Sequence, residues 1–510
     1  MHTLAARTVA LLLLVCLTFV AQPATRGQAA PVKDDLVIGS SDDITTLDVR
    51  FHTGRVGFEM LTPMYETLFR HDPMGNVVGW LAESWKWDAP QSLHVKLRKN
   101  VLFHDGQQLT ARDVKYTLEA IANRDLRSRQ LTYLNEIASV EVLNDNELII
   151  HTSRPTRALV RFLTYYGQIA PARAKIPNPT GTDLAQTPVG TGPFRFLEYV
   201  SGNRLVYERF DRYWGAAPKY KRLVFRIIRE PGTRTAALEG HDVDLILGVP
   251  AESRGILRRH GFKVMVSQTV AIYALTVETT TAPFKDIRAR HAAAYAIDKT
   301  AIAKLYAPES EAAKSILGPG VWGRHEMAPY PYDPEKARQL LKQANLEGAE
   351  ISYVFDPANT DGSTVVPEAV GEYLRKAGFK VNMQAMERGT FNVNIYTKNR
   401  KVNAWTWTWG VGTLDPEEIF RREFDSVRGA IWVSYKSALL DKLIAKAAME
   451  LDERRASADY ARLQEYLWRE ATWIPLYNIV DAVAYRRDLQ GLVQWASGGL
   501  YWFDRITLGQ

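Results

Sequence analysis

Ile351-Ser352-Tyr353-Val354-Phe355, an apolar helical stripe from Val366 to Ala377, then Gly378 and Phe379-Lys380-Val381-Asn382-Met383 make up the stretch that decides the fold class. The two outer segments carry the branched and aromatic residues of strands, and Gly378 stands where a helix needs to stop. Just upstream, Asp333-Pro334 starts another helix, with Asp as cap, Pro at the first helical position, and Ala337, Leu340, Leu341 and Ala344 as its stripe. Earlier still, Leu223, Phe225 and Ile227 alternate with Val224, Arg226 and Ile228 as a strand. A helix ending at Gly240 and a short strand Val243-Asp244-Leu245-Ile246 follow it. Strands alternating with helices predict an α/β fold with mixed or parallel sheets.

Leu36-Val37-Ile38 reads as a buried strand opening into the polar loop Ser40-Ser41-Asp42-Asp43. Thr110-Ala111-Arg112-Asp113 has the form of a capping box, and the helix it starts carries Val114, Leu118 and Ile121 on one face. The chain has 510 residues, which predicts about three domain-sized units, since single cores stop growing near ~250–300 residues. There is no repeat, low-complexity tract or Ser/Gly linker, so the domains are expected to exchange chain segments. A hydrophobic share of 46% with 24% charged residues excludes a disordered or fibrous chain.

The first thirty residues read as an export signal. Arg7 precedes an apolar run, Val9 to Ala21, of about 13 residues, within the ~7–15 of a secretory signal and short of the ~18–20 that span a bilayer. Gly27 and Ala29 are small residues placed for cleavage after Ala29. Cys16 does not make a lipoprotein site, because Val15 before it is branched and the pair lies mid-run. Cleavage removes Arg7, Arg26 and the only Cys, taking the net charge from +7 to +5. One Cys excludes a disulfide framework and a thiolate metal cluster. The diffuse positive charge excludes a nucleic-acid footprint, which needs clustering. No later segment reaches spanning length.

Motifs of the common enzyme classes are missing. The chain has no phosphate loop, no dinucleotide fingerprint, no nucleophile elbow and no paired His spacing suited to zinc. Gly190-Thr191-Gly192-Pro193 resembles a phosphate cradle, but Pro193 lacks the backbone donor such a cradle uses. Phe103-His104-Asp105-Gly106 joins an imidazole to a carboxylate, yet Asp-Gly between apolar segments reads more simply as a hairpin turn. No catalytic residue, metal ligand or cofactor is predicted. Two carboxylates flanking a cleft would suit a glycoside or peptide hydrolase, and that alternative stays open.

Several stretches, in order, resemble the family 5 (peptide/nickel/opine-type) solute-binding proteins of ABC importers. They are Leu47-Asp48, Tyr65-Glu66-Thr67-Leu68-Phe69, Leu81-Ala82-Glu83-Ser84-Trp85 and Leu97-Arg98-Lys99-Asn100-Val101-Leu102-Phe103-His104-Asp105-Gly106. Leu109 to Val114, Pro188-Val189-Gly190-Thr191-Gly192-Pro193-Phe194, Tyr213-Trp214-Gly215, Ala237-Leu238-Glu239-Gly240 and Val243-Asp244 continue the series. Pro283-Phe284-Lys285-Asp286, Ala294-Tyr295-Ala296-Ile297-Asp298, Tyr332-Asp333-Pro334, Ala337 to Leu341 and Gly491 complete it. The resemblance implies a type II periplasmic-binding-protein clamshell of two lobes with an extra domain inserted in the N-terminal lobe. Lobe one would be 31–51, 181–270 and 480–510, the inserted domain 52–180, and lobe two 271–479. It implies a non-enzymatic monomer in the periplasm that captures a small organic solute and delivers it to an ABC permease in the inner membrane. Neither nucleic acid nor a metal enters this reading.

The solute is less constrained. Trp405-Thr406-Trp407-Thr408-Trp409-Gly410, as a strand, sends three indoles to one face and two hydroxyls to the other. Those indoles are either core or a wall for stacking a ring or a backbone. The resemblance sets the following loop, with Gly412 and Asp415, along the cleft. Gly412 stands where many peptide-binding members carry the Asp that holds the peptide amine, so an Asp at 412 is expected to improve binding of free-amine peptides. Asp415 is expected to cap the helix begun by Pro416. Asp356 lies about where dipeptide-binding relatives place a carboxylate-binding Arg. Tyr273 and the loop Ser41, Asp42 and Asp43 match cleft-lining positions, with Tyr273 as a core aromatic the other option. A peptide, an opine-like conjugate and an oligosaccharide stacked on Trp all remain possible cargo.

Overall fold

The computed structural model describes residues 34–52, 54–173, 183–360, 363–397, 400–427 and 435–509. The export signal and its cleavage point near Ala29 lie outside the described residues. One mixed sheet of ten strands organises the molecule. Its first half runs Lys380–Ala385, Glu350–Phe355, Ala404–Trp409 and Lys263–Val277; its second runs Trp473–Tyr485, Leu245–Leu247, Asp35–Ser40, Arg222–Ile227, Arg204–Arg209 and Phe194–Val200.

The strand–helix–strand unit forms one edge. Glu350–Phe355 and Lys380–Ala385 pair in parallel, and the helix Val365–Lys376 between them buries Val366, Val370 and Leu374. At the other end, Asp35–Ser40 lies parallel to both Arg222–Ile227 and Leu245–Leu247. The strand after the Gly240 helix begins two residues later than the apolar run suggests, because Asp244 does other work. Its buried carboxylate takes the Val37 N–H at 2.9 Å and Arg486 Nη1 at 2.9 Å, tying three segments together.

The halves meet where Lys263–Val277 pairs antiparallel with Trp473–Tyr485. The register breaks between Gln268 and Ile272. There Thr269 Oγ1 donates to Ile479 O at 3.0 Å, and Val270 N–H donates to Ser497 O at 3.1 Å. A bulge of this kind locally unpairs a ladder and bends the strand.

A separate antiparallel sheet, in the order Ala82–Ala89, Ser92–Leu97, Glu147–Thr152 and Ile137–Asn144, carries its own apolar cluster. The helix Ala111–Ala122 covers it with Val114, Leu118 and Ile121, and the capping box is formed, with the Thr110 N–H on Asp113 Oδ2 at 2.8 Å.

What joins this unit to the large sheet is a buried carboxylate. Glu66 accepts from Trp80 Nε1 at 2.7 Å and Tyr213 O–H at 2.7 Å on Oε1, and from Thr191 Oγ1 at 2.8 Å and Trp214 Nε1 at 3.0 Å on Oε2. Burial pushes its pKa up while the four donors pull it back. Thr191 arrives between two glycines that lie directly on the backbone of 63–64. A Cβ at Gly190 or Gly192 would strike the Met64 or Pro63 carbonyl oxygen. The Gly190-Thr191-Gly192-Pro193 segment is therefore a packing device.

His104 locks the same segment. Its Nδ1 accepts the Gly190 N–H at 3.2 Å, and its Nε2 lies 3.0 Å from the Gly192 carbonyl oxygen, which fixes the neutral ring with the proton on Nε2. Burial pushes its pKa down to about 4. A depressed His pKa contributes stability that is present above about 6.5 and lost as pH falls toward about 4. That amounts to roughly 3 kcal/mol, at about 1.4 kcal/mol per unit. Thermal unfolding of wild type and His104→Gln between pH 7.5 and pH 4 should show the wild-type advantage shrinking on acidification. Parallel curves for the two proteins would refute the assignment.

Candidate functional site

The alternation in Ala404–Trp409 orients its side chains as the sequence implies. All three indoles join one apolar cluster, while Thr406 points the other way. There its hydroxyl takes the Tyr273 O–H at 2.8 Å and meets the Tyr353 hydroxyl at 2.9 Å. The destination of the indoles is the core for two of the three. Trp405 is fully buried beneath the Arg400 guanidinium, and Trp409, 2% exposed, packs edge-on against Trp473 with centroids 4.9 Å apart. Trp407 is half-buried, stacked on Phe391 at 5.1 Å and 12°, with the Arg388 guanidinium 4.9 Å from its ring centroid. Arg388 in turn pairs with Asp356, which is buried and so serves this ion pair. Tyr273 lies in the core on the Thr406 side of the sheet, away from the indoles.

Ser41, Asp42 and Asp43 separate in role. Asp43 takes the Tyr199 O–H at 3.0 Å and the Gly202 N–H at 2.7 Å and so fastens the adjacent hairpin. Ser41 Oγ donates to its neighbour Asp42 at 3.3 Å. The exposed Asp42 acts through its field, adding to the upward push on Glu59, whose carboxyl burial raises to about 8.

Gly412 and Asp415 stand on a seam where residues 409–423 meet residues 133–168. Tyr165 covers Gly412: a Cβ there would sit 2.8 Å from the Tyr165 Cζ. The same ring packs on Phe58, with centroids 4.0 Å apart and planes tilted by 44°. Asp415, fully buried, holds Arg157 through both oxygens at 2.8 and 3.2 Å, and also takes the Glu417 N–H at 3.0 Å in the first helical turn. Arg157 lies over Trp322 at 4.0 Å. Leu414 between them holds φ +57, a strained left-handed backbone for a branched residue.

Next along the seam, Arg154 reaches Glu136 at 2.9 Å and Glu417 at 3.4 Å, while Arg421 pairs with Glu417 and donates to Asn135 Oδ1 at 3.0 Å. Tyr166 stacks on Tyr133 at 4.1 Å and donates to Glu418 Oε1 at 2.9 Å. Arg422 donates to the Tyr133 hydroxyl at 2.8 Å and pairs with Glu423, whose second oxygen is buried without a partner among the described residues. Burial raises the Glu418 and Glu423 carboxyls, the latter to about 7. Buried pairs of this kind repay their desolvation only when every partner is in place, so they fix geometry more than they add stability.

Sequence reasoning missed Glu59, Tyr165, Tyr166 and the Arg154/Arg157 pair. The only signal was the spacing Arg154, Arg157 and Arg161, which on its own reads as a solvated helix face. Among the described residues no group of His, Cys, Asp and Glu could hold a metal ion, and no helix is long and apolar enough to cross a membrane.

Residues 76–429 match the family model described as bacterial extracellular solute-binding proteins, family 5 Middle. The glutathione-binding protein GsiB of Salmonella typhimurium is 25% identical over 475 residues, covering 90% of this chain and 91% of that protein. Among solved structures, the oligopeptide-binding protein AppA from Bacillus subtilis, in complex with a nonapeptide, superposes with a TM-score of 0.81 at 24% identity. It covers 94% of this chain and 99% of that one. NikA from Brucella suis, in complex with Fe(III)-EDTA, gives a TM-score of 0.83 at 22% identity, covering 93% and 99%. These structural likenesses show the fold.

Two outcomes follow for the indoles and for the seam. Trp409→Ala should cost roughly 3–5 kcal/mol of stability, against roughly 1–2 kcal/mol for Trp407→Ala, in urea unfolding followed by circular dichroism. The reverse order would put Trp409 outside the core. Gly412→Asp alone should lower the melting temperature and bring no gain for tri-alanine over N-acetyl-tri-alanine, because the new side chain presses on Tyr165. Adding Tyr165→Ala should cost less in the Gly412→Asp background than in wild type, because the clash is relieved, and a gain in the single variant would contradict the seam geometry.

Proposed function

The chain belongs to the bacterial extracellular solute-binding proteins of family 5, and on that premise we propose what it carries and how it holds it. It is the substrate-binding component of an ABC importer, acting outside the inner membrane. We place the mature protein in the periplasm as a monomer, after cleavage near Ala29. We divide it into lobe one (31–51, 181–270, 480–510), an inserted domain (52–180) and lobe two (271–479). The separate sheet and apolar cluster within the inserted stretch support that division. The bulge at 269–271 supports a hinge, since an unpaired stretch absorbs dihedral change at small cost.

The cargo we assign is a short peptide or a peptide-like conjugate, held at the seam and released intact. The observation that carries this is Tyr165 lying on Gly412 within a frame of ion pairs. The frame sets a closed distance between the two sides, and position 412 offers no carboxylate to anchor a peptide amine. The glutathione-binding relative makes a tripeptide the first probe. An oligosaccharide or opine stacked on indoles is less well supported, because Trp405 and Trp409 are taken up by the core. A hydrolase is less well supported too, because Asp415, Glu417 and Glu418 are each engaged by seam partners.

Purified protein should be stabilised saturably by glutathione or tri-alanine, by about 2.7 kcal/mol at a hundredfold excess over Kd, with each recovered unchanged by mass spectrometry. Stabilisation by maltotriose or octopine with none by either peptide would replace the cargo class. Appearance of cleavage products would replace the binding reading altogether.

A further inference from the structure

Tyr165 is a shared wall. Its ring also borders a recess that opens to solvent. Trp80, Trp495 and Trp502 form its other aromatic sides. Inside, the Arg70 guanidinium carbon lies 3.1 Å from the Trp80 ring centroid and 4.7 Å from that of Trp502. Among the described residues Arg70 has no carboxylate within ion-pair distance.

The nearby acids do not supply one. Glu66 spends its oxygens on the four donors already described. Asp504 also lines the recess, but Arg505 is the foremost cation acting on it. Burial and Arg505 push the Arg70 pKa down to about 10, which leaves it charged at neutral pH with its solvation depleted. Two further groups face the same space unsatisfied. Gln168 is 1% exposed and neither its Oε1 nor its Nε2 has a partner, and the buried Trp495 Nε1–H has none either. Buried donors and cations rarely stay unpaired in a native protein.

We propose that this recess seats a carboxylate of the bound solute, with the rest of the solute leaving through its mouth. Stacking occupies the faces of the guanidinium and leaves its in-plane N–H groups to receive the two oxygens as a fork. Gln168 Nε2 and Trp495 Nε1 supply the remaining donors, and Gln168 Oε1 is left for an N–H of the solute. The proposal rests on the peptide-like cargo only for its route of entry, since the recess adjoins the seam through Tyr165.

Benzoate and its neutral isostere benzamide test the site directly, by thermal shift and tryptophan fluorescence. Benzoate should respond saturably in the millimolar range, and benzamide at least about tenfold more weakly. Arg70→Met should weaken benzoate about tenfold or more, and Gln168→Glu, which brings a like charge, should abolish the response. Circular dichroism establishes that each variant is folded, and the Gln168 variant carries the test if the Arg70 variant is not. Equal responses to benzoate and benzamide, unchanged benzoate binding in a folded variant, or no saturation by about 100 mM would each overturn the proposal. A benzoate response with no peptide response would keep the recess and remove the cargo reading. Peptide binding with no benzoate response would do the reverse.

Discussion

Glu66 sets a carboxyl group in the interior, where burial pushes its pKa up, and four donors from three distant segments converge on it. A carboxylate desolvated this far is tolerable only if its lone pairs are filled, so Trp80, Thr191, Tyr213 and Trp214 are held to fixed positions by the cost of leaving it bare. Everything that depends on those residues inherits the constraint. Trp80 is the floor on which Arg70 stacks, Thr191 is delivered by glycines pressed onto 63–64, and His104 clamps those glycines in one tautomer. One acid thus sets both the docking of the small sheet on the large one and the shape of the recess.

The seam follows a different logic. Two of its ion pairs join residues more than 250 positions apart, Arg157 with Asp415 at a separation of 258 and Arg154 with Glu417 at 263. In water such pairs are worth little, and once buried they gain strength only together. Closing the two sides therefore either completes the whole set or leaves several charges stranded. That favours two discrete states over a continuum of partial closures. A solute shifts the balance between them only by its differential affinity, and release asks the permease to favour the state in which these charges return to water.

The sequence made the local devices legible. The parallel strands around Val365–Lys376, the Thr110–Asp113 box, and the alternation of Trp and Thr in 404–409 depend on periodicity and nearest neighbours, which a sequence displays. Asp415 was legible as a helix-start residue because Pro416 follows it, and it takes the Glu417 N–H, whereas its ion pair with Arg157 was not legible. Likewise Glu66, Thr191 and Tyr213-Trp214 were visible as separate fragments of a resemblance, and only folding brings them to one point. Where the indoles end up depends on what packs across the sheet. Trp473, Phe391 and Arg388 decide that, and none is adjacent in sequence. The boundary between Val243 and Leu245 was misplaced for the same reason, since a long-range partner claims Asp244.

Tyr165 links these levels. Its ring fills the space above Gly412, so the loop needs a residue without Cβ, and the carboxylate that would attract an amine has no room there. The same ring also borders a chamber that holds the Arg70 cation, the Gln168 amide and the Trp495 indole N–H beside the carboxyls of Glu66 and Asp504. One aromatic side chain thus closes the loop at 412 to any side chain and borders the recess in which a carboxylate is proposed to sit.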